Sequence, residues 1–182
     1  MFELQPRIAN PWIRLEPLAA GDFEALYGVA KDPLIWEQHP NRERYQREVF
    51  ANYFKGAIES GGAFRVIDNT TDTLIGCSRY YEANEAERSV AIGYTFIARS
   101  HWGGPSNRAL KTLMLEHAFH GVDRVIFHVG AANLRSRKAM QKLGAIQIGE
   151  VMMSYYGEPS RANVVYKIDK LDWFRLKEGA ST

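Results

Sequence analysis

One stretch near the middle of the chain restricts the possible folds more than any other. An apolar strand over residues 90–97 runs into a turn-rich loop over residues 99–107, and the loop leads into an amphipathic helix from about residue 108 to 120. Residues 125–129 then form a continuous apolar run, typical of a strand buried on both faces. Strand, loop, helix and strand in this order predict a parallel crossover in the middle of a sheet.

The remaining segments predict mainly antiparallel neighbours for that unit. The pattern of strands is found over residues 13–18, 63–68, 73–81, 89–98, 145–155 and 163–168, with polar turns at 69–72 and 84–87. Further helices are predicted over residues 23–30, 49–59, 133–143 and 171–177, with Asp22 capping the first and Gly144 ending the third. We therefore expect an α/β (α+β) fold, in which a mixed, mainly antiparallel central sheet has helices on both faces.

Composition limits the organisation of the chain and its class. At 182 residues with 46% hydrophobic content, the chain is long enough for one sizeable core, and we expect a single domain over residues 1–182. The formal net charge of +2 comes from scattered Lys and Arg, which argues against nucleic acid as a partner. Cys77 is the single cysteine, and no apolar run has signal or membrane-span length, so we expect a soluble, cytoplasmic protein with no membrane partner.

The loop over residues 99–107 is the first candidate for a binding site. It contains Gly103 and Gly104, and it delivers a strand onto the start of a helix. Unpaired backbone N–H groups and the positive end of the helix dipole meet at such a point, which suits an anion such as a pyrophosphate. The alternative is an ordinary turn in which glycine supplies unusual backbone angles.

Motifs spread over nearly the whole chain resemble one known family. They are Leu15-Glu16-Pro17-Leu18, Asp32-Pro33 with Trp36, Ile75-Gly76-Cys77-Ser78-Arg79-Tyr80, Ile92-Gly93-Tyr94, Trp102-Gly103-Gly104, Asn133-Leu134-Arg135-Ser136, Lys142-Leu143-Gly144-Ala145 and Leu171-Asp172-Trp173. In order and spacing they resemble the GNAT superfamily of acetyltransferases, and especially its branch of ribosomal-protein N-terminal acetyltransferases. The resemblance implies a GNAT-like fold and acetyl-CoA as cosubstrate.

The resemblance also implies which residues contact acetyl-CoA. Phe96 and Ile97 would lie beside the pantetheine arm, Asn133 would hydrogen-bond it, and Arg137 or Lys138 would meet a nucleotide phosphate. The pyrophosphate would be received at Trp102, Gly103, Gly104, Ser106 and Asn107. For Asn133, the alternative role is that of a helix cap.

Two positions depart from the family's pyrophosphate loop. The loop has Ser100 at its first motif position, where the family usually has Gln or Arg, and Pro105 at its last, where the family has Gly or Ala. Proline has no N–H group to donate. The sequence therefore leaves the exact donors of this loop undetermined.

Catalytic residues are harder to assign. Acyl transfer from a thioester to an amine requires a proton acceptor, stabilisation of the oxyanion and protonation of the departing thiolate. Family members often carry a Glu and a Tyr for the proton transfers, but the corresponding positions here are Ala91 and Met140. Ser136 matches the serine that lies near the thiol in the ribosomal-protein branch, with a structural helix serine as the alternative. The groups left as base or water-holding residues are Glu82, Tyr80 and Tyr94, each with a structural role as its alternative.

These observations lead to one expected function and one alternative. We expect an N-acetyltransferase that moves an acetyl group from acetyl-CoA to a primary amine, either a protein N-terminus or a small amine, by direct attack. Because the Glu and Tyr are missing, the alternative is a non-catalytic GNAT fold that binds acyl-CoA as a sensor or scaffold. No metal is expected, since His117 and His120 have no accompanying Glu or Cys motif. A homodimer is left open.

Overall fold

The chain folds into one sheet with helices packed on it, and the computed structural model describes residues 3–154 and 158–179. The strands are β1 (Ile8–Ala9), β2 (Ile13–Pro17), β3 (Ala63–Asp68), β4 (Thr73–Asn84), β5 (Ser89–Ile97), β6 (Arg124–Gly130), β7 (Ile146–Met153) and β8 (Arg161–Asp169). The α-helices are α1 (Phe23–Ala30), α2 (Arg47–Glu59), α3 (Ser106–Ala118), α4 (Leu134–Leu143) and α5 (Lys170–Gly179). The strands lie in the order β1-β2-β3-β4-β5-β6-β8-β7.

The central pair of strands, β5 and β6, is parallel, and it separates after a short ladder. Ser89–Ala91 pairs with Arg124–Ile126, whereas all the other neighbouring strands in the described sheet are antiparallel. Both strands continue beyond that ladder, β5 to Ile97 and β6 to Gly130. The predicted parallel crossover is therefore confirmed, and a gap opens between its two strands.

Helices cover both faces of the sheet, as the sequence predicts. On one face α3, Met140 of α4 and Trp173 of α5 join the main core. On the other face α1 and α2 form a second core with Trp36 and Phe96, whose rings lie 5.1 Å apart between centroids. Each large side chain buried in these cores contributes on the order of 1.5–3 kcal/mol through removal of its apolar surface from water. The mixed fold with helices on both faces is thus confirmed.

Several details differ from the sequence prediction. The short strand β1 was not predicted, because two residues are too few to show an alternating pattern. The helix α3 begins at Ser106, two residues earlier than expected. The carboxylate of Asp22 does not cap α1; it accepts hydrogen bonds from the Ala19 N–H and from Arg65, so that prediction was wrong. The end of the strand predicted over residues 145–155 lies outside the described residues.

The strand β6 also differs from its predicted burial. Val125, Phe127 and Val129 are buried, whereas Ile126 and His128 are only partly buried. Alternate residues of a strand point to opposite faces of a sheet, so one face of β6 packs in the core and the other meets a partly open space. That open face contributes to the site described below.

No helix in residues 3–154 and 158–179 combines the length and the apolar character needed to cross a membrane.

Candidate active site

Three neighbouring cavities follow the gap between β5 and β6. The inner cavity lies where the strands separate and includes His39, Arg44, Tyr81, Tyr94, Thr95, Lys111, His128, Asn133 and Ser136 in its lining. The middle cavity includes Trp36, Phe96, Ile97, Trp102, Gly103, Arg135 and Ser136. The outer cavity includes Gln38, Gly103, Gly104, Arg108, Lys111, Arg135 and Lys138. Asn107 lines all three, so we treat them as one cleft.

The charge of the cleft is one-sided. Among the described residues that line its three cavities there is no Asp and no Glu. The cationic side chains in the lining are Arg44, Arg108, Lys111, Arg135, Lys138 and Lys142. A cleft lined in this way attracts anionic ligands and is suited to phosphate groups.

The glycine loop forms one end of the cleft. Gly103 has a φ of +75°, a left-handed conformation that glycine adopts without strain, and open space surrounds the position of its missing side chain. Pro105 occupies the N-cap position of α3 and offers no side-chain cap to the first N–H groups of the helix. These groups, near Asn107, are therefore placed at the cleft without a capping side chain in the described chain.

An aromatic contact fixes this loop to its neighbours. The indole Nε1–H of Trp102 donates a hydrogen bond of 3.0 Å to the carbonyl of Ile97, at the end of β5. The guanidinium of Arg135, from α4, stacks on the Trp102 ring at 3.9 Å from its centroid. Burial lowers the pKa of Arg135, but an arginine remains charged at neutral pH. The loop, β5 and α4 are thus joined at the middle cavity.

Asn133 is placed to serve both of the roles considered from the sequence. It is buried, and its Oδ1 atom accepts a hydrogen bond of 3.1 Å from the N–H of Ser136, so it does cap α4. It also lines the inner and middle cavities, as does Ser136. The cap uses only the Oδ1 atom, which leaves the Nδ2 amide group for a ligand.

Tyr94 lies at a distortion of β5. Its φ is +52°, its carbonyl accepts a hydrogen bond of 2.5 Å from the Tyr53 hydroxyl, and the Arg79 guanidinium stacks at 3.5 Å from the centre of its ring. Burial raises the pKa of the Tyr94 hydroxyl, which therefore stays protonated at neutral pH. Tyr94 lines the inner cavity, and its protonated hydroxyl is a poor proton acceptor.

Four residues considered from the sequence do not line the cleft. Glu82 is exposed and acts on the site only through its charge, which raises the pKa values of Tyr94 and His128. Ser106 is buried in the first turn of α3. The hydroxyl of Tyr80 is buried on the other face of the sheet, where it donates to the Met114 carbonyl.

Arg137 is the fourth of these residues. Its Nε–H donates to the Tyr166 hydroxyl and an Nη1–H donates to the Ala131 carbonyl, each at 3.2 Å. Because a helix turns by about 100° per residue, Arg135 and Ser136 reach the cleft and the next residue turns away. The cations of α4 that line the cleft are Arg135, Lys138 and Lys142, so of the two residues expected at a nucleotide phosphate only Lys138 lies in the lining.

Two titratable residues of the inner cavity were missed by the sequence reasoning. Lys111 is buried, and its Nζ–H donates a hydrogen bond of 2.7 Å to Thr95 Oγ1. Burial lowers the pKa of Lys111 to about 7. His128 on β6 has its Nδ1 atom 2.8 Å from the Tyr81 hydroxyl, and burial lowers its pKa. The sequence offered one weak signal for each residue. Lys111 lies four residues after Asn107, on the same side of the helix, and His128 is a histidine inside an apolar run.

An ion pair closes the side of the inner cavity that lies near α2. Arg44 Nε donates to Glu158 Oε1 at 2.7 Å, and both side chains are nearly inaccessible to solvent. The Arg44 guanidinium also lies 5.0 Å from the centre of the Tyr53 ring. The cost of removing both charges from water offsets much of the attraction in a buried pair of this kind. It joins the segment before α2 to the segment before β8, beside the cleft.

In the described part of the chain, no group of three or more His, Cys, Asp or Glu side chains is placed to hold a metal ion.

The family of the chain follows from a comparison of its sequence with known protein families. The family model of the acetyltransferase (GNAT) domain matches residues 13–146. This range includes the gap between β5 and β6, the glycine loop, and α4. The chain belongs to the GNAT acetyltransferase family.

Solved structures share the same fold. A GCN5-related N-acetyltransferase from Brucella melitensis has a TM-score of 0.82 at 20% identity, over 96% of this chain and 83% of that one. A spermidine N-acetyltransferase from Vibrio cholerae, in complex with CoA and spermine, has a TM-score of 0.68 at 19% identity, over 91% and 99%. RimJ from Mycobacterium smegmatis, in complex with CoA-disulfide, has a TM-score of 0.68 at 17% identity, over 92% and 89%. No curated protein sequence matches the chain.

Proposed function

We propose that this protein is an acetyl-CoA-dependent N-acetyltransferase that acts on a primary amine. One observation carries the proposal. The chain belongs to the GNAT family, and its cleft between the separating strands runs from the glycine loop to Ser136. Among the described residues, cationic side chains line this cleft and carboxylates do not. Two of the structural neighbours are complexes with CoA or its disulfide, which supports the same ligand class here.

The residues of the cleft fit the parts of this cosubstrate. Gly103, Gly104 and the first turn of α3 at Asn107 are suited to the pyrophosphate, because they present backbone N–H groups without a side chain in the way. Phe96 and Ile97 offer an apolar strand end to the pantetheine arm, and Asn133 offers its amide. The outer phosphates would meet Arg108 and Lys138.

The chemistry proposed is direct attack of the amine on the thioester. The thioester, when bound, supplies the activated acetyl group. The hydroxyl of Ser136 would donate a hydrogen bond to the sulfur as negative charge develops there, and the protonated hydroxyl of Tyr94 would donate to an oxygen or a water in the inner cavity. Neither role requires a metal.

The class of amine acceptor is part of the proposal that needs experiment. One structural neighbour is named as a spermidine N-acetyltransferase, and the motifs of this chain resemble those of ribosomal-protein N-terminal acetyltransferases. A protein N-terminus and a small amine are therefore both proposed acceptors. We also propose a single domain in the cytoplasm, without nucleic-acid or membrane partners. A homodimer has no support in the comparisons and is not proposed.

A second proposed function, binding of acyl-CoA without turnover, is supported by one observation. Ala91 and Met140 occupy the positions where family members often carry the Glu and Tyr of the proton transfers. A chain that lacks both would be suited to bind acyl-CoA as a sensor or scaffold without turnover.

One screen separates the two functions. Purified protein is incubated with acetyl-CoA and, in turn, with an alanine-initiated peptide, a set of free amino acids and spermidine, while release of free thiol is followed. We expect thiol release with at least one acceptor and identification of the acetylated amine by mass spectrometry. Binding of CoA without any thiol release would favour the sensor, and absence of CoA binding at millimolar concentration would overturn both proposals.

A further inference from the structure

His128 lies on β6 beside the gap between the separating strands, in the lining of the inner cavity. Its neighbours Phe127 and Val129 are buried in the main core with α3, and the centre of the Phe127 ring lies 5.7 Å from Lys111 Nζ. Because residues alternate along a strand, His128 points to the opposite face of the sheet. That face is covered by the segment between α1 and α2, whose residues His39 and Arg44 line the same inner cavity.

Tyr81 of β4 holds the His128 ring on one side. The Tyr81 hydroxyl lies 2.8 Å from His128 Nδ1, and the Tyr81 ring packs edge-on against Tyr94 at 5.1 Å between centroids. Glycine at position 93 gives the Tyr81 ring its space, since a Cβ there would lie 2.9 Å from that ring. The second ring nitrogen of His128, Nε2, has no hydrogen-bond partner among the described residues. His128 lines the inner cavity. An imidazole held through Nδ1 thus has Nε2 to offer to a ligand.

The charged and titratable groups around this ring come from several elements. They are Tyr81 and Glu82 on β4, Tyr94 on β5, His39 and Arg44 on the segment between α1 and α2, and Lys111 on α3. Burial lowers the pKa of His128 and the Glu82 charge partly opposes that effect, with a net fall from the usual value of 6.5. The imidazole is therefore mainly neutral at pH 7 and able to accept a proton.

Three other groups in or beside the inner cavity are less suited to accept a proton. Both nitrogens of the His39 ring already lie at hydrogen-bond distance from protein atoms, from Asn41 and from Arg44. Tyr94 stays protonated at neutral pH because burial raises its pKa. Glu82 is exposed and does not line the cavity. Among these groups, His128 is left as the neutral base of the inner cavity.

We propose that His128 is the proton acceptor of the acyl transfer and that Tyr81 is the positioning residue that orients its ring. The inference rests on the proposed acetyltransferase function and names the base that the sequence does not identify. In this role Nε2 carries no hydrogen in the resting enzyme, and the Nδ1–H donates to the Tyr81 oxygen.

The acceptor ammonium first loses one proton to solvent and becomes a neutral amine. Its nitrogen forms a bond to the thioester carbon and gives a proton to Nε2 of His128, and the carbon–sulfur bond breaks to leave a thiolate. The imidazolium then returns its proton to the thiolate or to water, so the net products are the amide, the free thiol and one proton.

The kinetic test uses the acceptor that the screen identifies as active, with acetyl-CoA as donor. His128→Asn keeps a group that can pair with Tyr81 but cannot accept the proton, so we expect kcat to fall about 10²- to 10⁴-fold with little change in CoA affinity. In the wild type kcat falls as pH drops through the His128 pKa, below 6.5, because the imidazolium cannot accept a proton; the variant lacks this limb. His120→Asn, on a histidine outside the cleft, is the matched control and should retain full activity.

A positioning role for Tyr81 makes a distinct prediction. Tyr81→Phe should lower kcat less than His128→Asn does, leave the KM for acetyl-CoA unchanged and shift the pKa seen in the pH profile. A His128→Asn enzyme with kcat within threefold of wild type would overturn the inference while the acetyltransferase function stands. Loss of CoA binding in that variant would reveal a structural role instead.

A second measurement does not depend on activity. Nuclear magnetic resonance of ¹⁵N-histidine protein, with His128→Asn used for assignment, reports which ring nitrogen carries hydrogen. We expect Nδ1–H and an unprotonated Nε2 at pH 7.5. An Nε2–H tautomer, or a charged ring at that pH, would overturn the proposal even if no acceptor amine has been found.

Discussion

The ammonium group of Lys111 lies 2.7 Å from the hydroxyl of Thr95, and among the described residues no carboxylate lies within ion-pair distance of it. Thr95 Oγ1 in turn lies 2.8 Å from Ser78 Oγ. Burial removes the ammonium group from water, and the neighbouring hydroxyl groups do not compensate for the lost hydration. The neutral amine is therefore favoured, and burial lowers the pKa of Lys111 to about 7. Such a residue costs stability.

We predict that Lys111→Met stabilises the protein, most strongly at low pH. Between pH 7 and about 10.4 the unfolded chain binds more protons at this lysine than the folded chain, so wild-type stability rises over that window and levels off outside it. The methionine variant does not titrate. Its advantage should therefore be largest below pH 7, at most ~5 kcal/mol from the size of the pKa shift, and should shrink towards pH 10.

Urea unfolding at pH 6 and pH 9 measures this difference. Lys138→Met, on an exposed lysine of α4, is the control and should show no such dependence. A stability gap for Lys111→Met that is the same at both pH values would contradict the pKa assignment. If the gap is present, the retention of a destabilising lysine in the cleft points to a role in ligand binding or turnover.

Gly103→Asp should weaken CoA binding at least tenfold. The left-handed backbone at Gly103 strains any side chain, and a carboxylate there would repel phosphates held at the start of α3. Gly103→Asn has the same size and backbone strain without the charge. Titration calorimetry with CoA should therefore rank affinity as wild type, then Asn, then Asp. Equal affinities for the Asn and Asp variants would place the phosphates elsewhere.

Asn133 allows the two roles of one residue to be separated. Asn133→Ala removes the cap of α4 and should cost roughly 1 kcal/mol of stability as well as CoA affinity. Asn133→Asp keeps a good capping side chain but replaces the Nδ2 amide donor with an acceptor. We expect the Asp variant to retain its melting temperature and to bind CoA more weakly than wild type. If its CoA affinity equals that of wild type, the cap is the whole role of Asn133.

The sequence was sufficient for the parts of the site that depend on local order. The strand before the glycine loop and the loop itself lie where the pattern places them, and the cap at Asn133 depends on residues within one helical turn. Such features follow from propensity and short-range spacing.

Other parts of the site depend on how the strands separate, which no local pattern reports. His128 lies inside an apolar run that reads as a fully buried strand, yet the short ladder between β5 and β6 leaves its face open. Lys111 reads as a polar helix position, yet it lies under the gap and is buried. Arg135 reaches the cleft and Arg137 does not because of the rotation of α4 about its axis, which contacts with β8 and the loop set. These are tertiary effects.

Ser136 gives the sharpest kinetic prediction. It lines the inner and middle cavities at the first turn of α4, beside the cap residue Asn133. If its hydroxyl donates to the departing sulfur, the interaction strengthens only as charge develops, so Ser136→Ala should lower kcat and leave the KM for acetyl-CoA nearly unchanged. The loss should be roughly ten- to a hundredfold, the low end for such effects, because a thiolate with an aqueous pKa of about 8.5 is already a fair leaving group. Ser154→Ala, on an exposed serine outside the cleft, is the control. The measurement requires conditions in which a pre-steady-state burst is absent, so that chemistry limits the rate. An unchanged kcat under those conditions would remove Ser136 from the mechanism and leave thiolate stabilisation to Tyr94 or to water.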